Sequence, residues 1–141
     1  MTVRRLPVRL VRLVWRRAEG FCEYCRLHQE FDLLPHHVDH VIARQHEGPS
    51  IEGNLALACV NCSLAKGPNI AGRDSRTGKL SPLYHPRTQL WGEHFRWNGP
   101  FIIGRTSVGR VTVAVLNMNR ADRVALREML IAERDFPPDR D

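Results

Sequence analysis

Val38-Asp39-His40-Val41-Ile42, followed by Gly53-Asn54-Leu55-Ala56-Leu57-Ala58-Cys59-Val60-Asn61-Cys62-Ser63, is the most informative segment of this chain. Asn54 lies fourteen positions after His40, and Ser63 nine after Asn54. Two Cys-x-x-Cys pairs, Cys22/Cys25 and Cys59/Cys62, bracket the segment. The set holds a carboxylate suited to a hard cation, an imidazole able to accept a proton near neutral pH, an orienting amide and four thiols suited to a structural metal. Together they suit the cleavage of phosphodiesters.

Thirty-three residues separate the two Cys pairs. Two such pairs fit tetrahedral thiolate zinc, whereas disulfides are disfavoured in a reducing compartment and redox chemistry needs only one pair. The expectation is therefore a structural zinc ion held by Cys22, Cys25, Cys59 and Cys62.

The strands and helices follow from periodicity and breakers. His36 to Ile42 reads as a short strand, 45–53 as a polar loop with Gly48, Pro49 and Gly53, and Leu55 to Ala58 as a second strand or the lead into a helix. The second Cys pair opens a short helix that should stop near Gly67-Pro68. Upstream, Pro7 can start a helix and Gly20 can stop it. At 100° per residue Val8, Leu10, Val11, Val14, Trp15 and Ala18 share one face, and Arg5, Arg9, Arg12 and Arg16 form a stripe on the other. The stripe either grips phosphates or is a solvated face. Downstream, residues 68–92 read as loop-rich, and His94 to Trp97 and Phe101 to Ile103 as strands joined by Asn98-Gly99-Pro100. Thr106 or Ser107 is expected to cap a helix through Leu116, and Asn119 one through about Arg134. On that last helix Ala121, Ala125, Met129 and Ala132 share one face and Arg120, Arg123, Arg127 and Arg134 another.

Length and charge narrow the class. A chain of 141 residues has the size of one domain, 1–141, with a basic helix over 1–20, a core over 21–70 and an extension over 71–141. It contains no apolar run near bilayer length, and Arg16 and Arg17 interrupt the N-terminal apolar stretch. These features exclude a helical membrane protein and lead to the expectation of a cytoplasmic one. The net charge is +6, carried by 19 Arg against 2 Lys, and guanidinium forks match phosphate oxygens in bidentate fashion. Residues 1–20 carry net +5, residues 21–70 net −3 and residues 71–141 net +4. An acidic centre suits a cation, and basic flanks suit a nucleic acid.

With those residues in view, His36-His37-Val38-Asp39-His40-Val41-Ile42-Ala43, Gly53-Asn54-Leu55 and Cys59-Val60-Asn61-Cys62-Ser63-Leu64-Ala65-Lys66-Gly67 resemble an HNH endonuclease of the zinc-containing ββα-metal type. Leu83-Tyr84-His85-Pro86-Arg87, Trp91-Gly92-Glu93-His94-Phe95 and Gly109-Arg110-Val111-Thr112 resemble an extension of bacterial stand-alone HNH proteins. The resemblance implies an α+β fold: a ββα-metal core stapled by the four-Cys zinc site, with an N-terminal helix and a C-terminal strand-plus-helix extension.

It also implies roles. His40 would be the general base that activates water, and Asp39 a ligand of one Mg²⁺ or Mn²⁺ ion that stabilises the departing 3′ oxygen. Asn54 would hold the His40 loop through backbone bonds, and the products would carry a 5′ phosphate and a 3′ hydroxyl. Ser63 departs from the pattern, which has Asn or His there as second ligand to the catalytic cation. Ser63 binds the cation directly or through water, or His37 or His85 substitutes, or cleavage is lost and a zinc-stapled nucleic-acid-binding module remains. Arg44 and Lys66 flank the site as phosphate contacts or as solvated charge, and His46 either nears the phosphate or braces its loop. Trp91, His94, Phe95 and Trp97 are expected to form a small core rather than a base-stacking platform. DNA is the expected partner; the oligomeric state is open.

Overall fold

The computed structural model describes residues 5–140. Its organising unit is an antiparallel pair, β1 (His37–His40) and β2 (Leu55–Ala58), in the register His37↔Ala58, Val38↔Leu57, Asp39↔Ala56 and His40↔Leu55. Side chains alternate across a strand, so this register divides the pair into two faces. Val38, Leu55 and Leu57 pack against Leu10, Val14 and Ala18 of α1 (Val8–Ala18). Ala56 and Ala58 belong to the main core with the four cysteines, and α2 (Val60–Lys66) packs against β1 on that side.

The caps are written in the sequence. Pro7 precedes α1, and Glu19 and Gly20, both with positive φ, end it. Cys59 caps α2, its Sγ accepting from the Cys62 amide, and Gly67 at φ 51° terminates it. The strand–loop–strand–helix order expected from the central segment is therefore present. Val8 is the exception on the apolar face of α1: it is exposed, while Leu10, Val14 and Ala18 are buried.

The extension differs in four places. Residues 68–92 contain a two-stranded ribbon, β3 (Ala71–Arg73) with β4 (Leu80–Pro82), where a loop was expected. Three-residue strands built on Gly72 and Ser81 carry no readable alternation. The ribbon is held from outside, since a Cβ on Gly72 would crowd Val111 and Val115 of α4 (Ser107–Val115). The expected strand from His94 begins at Phe95 instead: α3 (Trp91–His94) leads into β5 (Phe95–Asn98), which pairs with β6 (Phe101–Gly104). Thr106 caps α4 by accepting from the Gly109 amide.

Asn119 is not a helix cap. Its amide accepts from the Ile102 N–H at 2.9 Å and donates to the Ile102 carbonyl at 2.8 Å, joining β6 to the turn before α5 (Ala121–Ala132). The buried face of α5 is also not the one its alanines mark. Val124, Arg127 and Leu130 are buried, while Ala121, Ala125 and Met129 face solvent. Arg127 goes inward because three acceptors wait there: Pro100 O, Met118 O and Asn119 Oδ1. Trp91 and Phe95 are buried in the main core as expected, with Trp97 packed against it.

Candidate metal centre and catalytic site

The four cysteine sulfurs lie within 4.8 Å of one another, all buried, and Cys25 Sγ stands 3.7 Å from Cys59 Sγ. Thiolates about 2.3 Å from a tetrahedral zinc ion sit roughly 3.8 Å apart, so the donors and their spacing fit that ion. The Cys25 and Cys62 amides each point at the first sulfur of their own pair, at 3.4 Å. Bonds from the neighbouring thiols pull Cys59 far below the usual thiol range, while burial pushes Cys22 up. Such crowding is resolved when one divalent cation takes all four as thiolates.

The second centre lies at the end of β1. His40 is half-buried, and its Nε2 stands 2.8 Å from Ser50 Oγ and 3.4 Å from Arg44 Nε. A guanidinium only donates, so the Arg44 contact requires the Nε2 lone pair as acceptor and leaves the ring proton on Nδ1. Burial first, then the Arg44 and Lys66 charges, push the His40 pKa below 6.5, while Asp39 pulls it up. A neutral imidazole at pH 7 follows.

Asn54 fixes the segment that follows His40. It is buried; its Oδ1 accepts from Ile42 N at 2.9 Å, and its Nδ2 donates to Ile42 O at 3.0 Å and Pro49 O at 2.9 Å. Its backbone carbonyl accepts from Val41 N at 2.8 Å. One amide thus ties both ends of the 42–49 excursion. Gly48 lies beneath it, where a Cβ would overlap the Ile42 carbonyl, so the loop closes only with glycine there.

Asp39 points to the other face, toward α2. Its carboxylate has no hydrogen bond or ion pair among the described residues, and the Ser63 hydroxyl, half-buried on α2, has none either. Lys66, one helical turn beyond Ser63, is buried and its Nζ lies 3.4 Å from the His40 carbonyl. The expected surface phosphate contact at Lys66 is therefore a buried cation whose pKa is lowered by burial and held up by Asp39. Arg44 is exposed, as is His46.

The two residues nominated to supplement Ser63 differ. His37 is exposed at the far end of β1. His85 is half-buried, its pKa lowered by burial and by the nearby Lys66 charge, and its Nδ1 accepts from Arg87 N. The thiol cluster is the one group of three or more Cys, His or carboxylate ligand atoms gathered among the described residues.

Three contributors carried no sequence signal strong enough to nominate them. Ser50 and Gly48 are ordinary residues of a polar loop, and Glu23 accepts from Leu57 N while pairing with Arg87. Residues 22–69 match the model of a family described as HNH endonuclease. No curated protein and no solved structure matches the chain.

Proposed function

From an HNH endonuclease domain over residues 22–69, we propose that the protein is a metal-dependent endonuclease hydrolysing DNA phosphodiester bonds. The observation that carries this reading is the clamp at the end of β1, where Asn54 pins the loop behind a neutral His40 while Asp39 keeps both carboxylate oxygens unpaired. His40 accepts the proton of an attacking water at Nε2, the nitrogen whose lone pair faces Arg44 and Ser50. Asn54 holds the base in position and touches no phosphate. Asp39, with Ser63 or a water beside it, offers hard oxygen donors to Mg²⁺ or Mn²⁺. When bound there, the cation supplies positive charge to the leaving oxygen. Lys66 adds fixed positive charge beneath the site, and the four cysteines hold a structural zinc ion.

The poverty of protein ligands around Asp39 supports a weak cation site, and hence activity that needs high Mg²⁺ or prefers Mn²⁺. It equally supports a second reading, a nucleic-acid-binding module whose nuclease site is enfeebled at Ser63. His85, half-buried and close enough for the Lys66 charge to act on its ring, is the better candidate to supplement Ser63 than the exposed His37.

The test is nicking of supercoiled plasmid in Mg²⁺, Mn²⁺ or EDTA, beside His40→Ala prepared identically. Metal-dependent nicking lost in His40→Ala is expected. Binding without cutting by either protein in any metal would give the second reading the lead. Ser63→Asn should lower the metal concentration for half-maximal activity; no gain in activity or metal affinity would overturn the account of position 63.

A further inference from the structure

We propose that the groove between α1 and the 50–52 segment is the track for one strand of the nucleic acid, with Arg5, Arg9, Arg12 and Arg16 on its phosphates. This deepens the nuclease reading, and rests on it only in taking His40 as the end of the track.

Two adjoining concavities form the groove. One, of about 570 Å³, is walled by Arg9, Arg12 and Arg16 on one side and by Ser50, Ile51 and Glu52 on the other. The other, of about 450 Å³, lies among Arg5, Arg44, Gly48 and Ser50. Ser50 belongs to both, and its hydroxyl is the group 2.8 Å from His40 Nε2. A strand lying along the arginines therefore reaches the candidate base at Ser50.

The ridge arginines differ from the five arginines that are committed to ion pairs, and together with Arg44 they line one groove. Arg87, Arg110, Arg120, Arg123 and Arg140 pair with Glu23, Asp74, Asp122, Asp32 and Glu19. Arg5, Arg9, Arg12 and Arg16 are exposed and pair with no carboxylate among the described residues. Glu52 is the acidic group on the wall, and its charge acts on Arg17, which donates to the Leu55 carbonyl. Arg9 to Arg16 covers about 10 Å of helix axis, over which one strand of a duplex presents about three phosphates. The number of guanidiniums matches, and the exposed side chain of Ile51 offers the sugars an apolar contact.

The test is binding of a fluorescent DNA duplex of about 20 bp by the full chain in EDTA, where no cutting occurs, titrated with salt. Relative to wild type, R9Q/R12Q/R16Q should bind at least tenfold more weakly near 0.1 M salt. Its salt slope should fall by about 2 to 3, since each phosphate contact contributes roughly 0.9. R9K/R12K/R16K should keep most of that slope, and helical content and melting measured on each variant guard against unfolding. R73Q/R76Q/K79Q removes three charges from the β3–β4 ribbon, which packs on α4, and should weaken binding less. Wild-type affinity and slope in the glutamine ridge variant would overturn the proposal, as would an equal loss in the ribbon variant. So would preserved DNA affinity in a ridge variant that had lost binding to anionic vesicles. A wild type that binds but never cuts leaves the track standing and sinks the nuclease reading; a wild type that cuts while the ridge variant keeps full affinity does the reverse.

Discussion

Asn54 is a buried amide with all three of its side-chain hydrogen bonds on backbone groups of the loop that follows His40. Replacing it by alanine leaves Ile42 N, Ile42 O and Pro49 O without these partners and opens a small void. The cost of orphaned buried groups is about 1–3 kcal/mol each, softened where water enters, so Asn54→Ala should lose about 2–4 kcal/mol of stability. Nicking at a temperature where the variant is still folded should fall by at least tenfold, because His40 loses its fixed position. A urea melt beside the plasmid assay separates the two effects, and full nicking in the folded variant would refute the clamp. The part played by Asn54 was legible only through the resemblance, which puts an orienting amide fourteen positions after His40; read alone, Gly53-Asn54 is a turn. Ser50 was not legible: its relevance comes from a loop that folds back on His40, which no local pattern encodes. Lys66 was legible as a cation but not as a buried one, because helix periodicity alone does not say which face of a seven-residue helix meets a strand.

Elements that show strong periodicity or clear caps were readable, and elements defined by their neighbours were not. α1, α2 and α4 fall where Pro7, Cys59, Gly67 and Thr106 set them. The β3–β4 ribbon is held by α4, and its chief tie is Asp74. That carboxylate, buried to 1% exposure, accepts from Arg110 Nε and Nη2 and from Ser107 Oγ at 2.9–3.1 Å. The Arg110 guanidinium holds it well below the usual carboxylate range, against the opposing effect of its burial. A carboxylate whose folded pKa is depressed stabilises the fold above its unfolded pKa, near 3.8, and loses that contribution as pH falls through the depressed folded value. Asp74→Asn should therefore melt below wild type at pH 7, with the gap unchanged down to about pH 4.5 and narrowing under more acid conditions. Melting curves from pH 7 to pH 3 check this, and a gap that widened on acidification would be the wrong sign. α5 illustrates the other kind of failure: its alanine face looks apolar, yet Arg127 is the residue drawn inward, by acceptors contributed from residues 100, 118 and 119. Those acceptors are created by the β5–β6 turn and the turn before the helix, so the sequence of α5 alone does not reveal them.

Across the whole molecule, the division of charge into a basic start, an acidic centre and a basic end has a double meaning. Part of the central acidity is matched to arginines of the extension, through Glu23 with Arg87 and Asp32 with Arg123, so it fastens the C-terminal segment to the core. Asp39, on the α2 face, has no hydrogen bond or ion pair among the described residues. The thiol cluster is the other fastening, since it joins residues 22–25 to 59–62 and sits beside α5. Four thiolates around one Zn²⁺ carry a formal charge of about −2, and the positive charges of Arg123 and Arg127 act directly on those sulfurs. Removal of the ion would leave crowded thiols that cannot all ionise and would weaken the charge that acts on Arg123 and Arg127, so the core and α5 should loosen together. A loss of about 3 kcal/mol would lower the melting temperature by about 10 °C in a chain of this length. Purified protein should contain one zinc ion per chain. A strong chelator under reducing conditions should produce the drop, Zn²⁺ should restore it, and Mg²⁺ should not, because a hard cation does not replace zinc among thiolates. Protein that contains no zinc and melts unchanged in chelator would show that the four cysteines pack as plain thiols and that the shared apolar core and the ion pairs hold the extension without the ion.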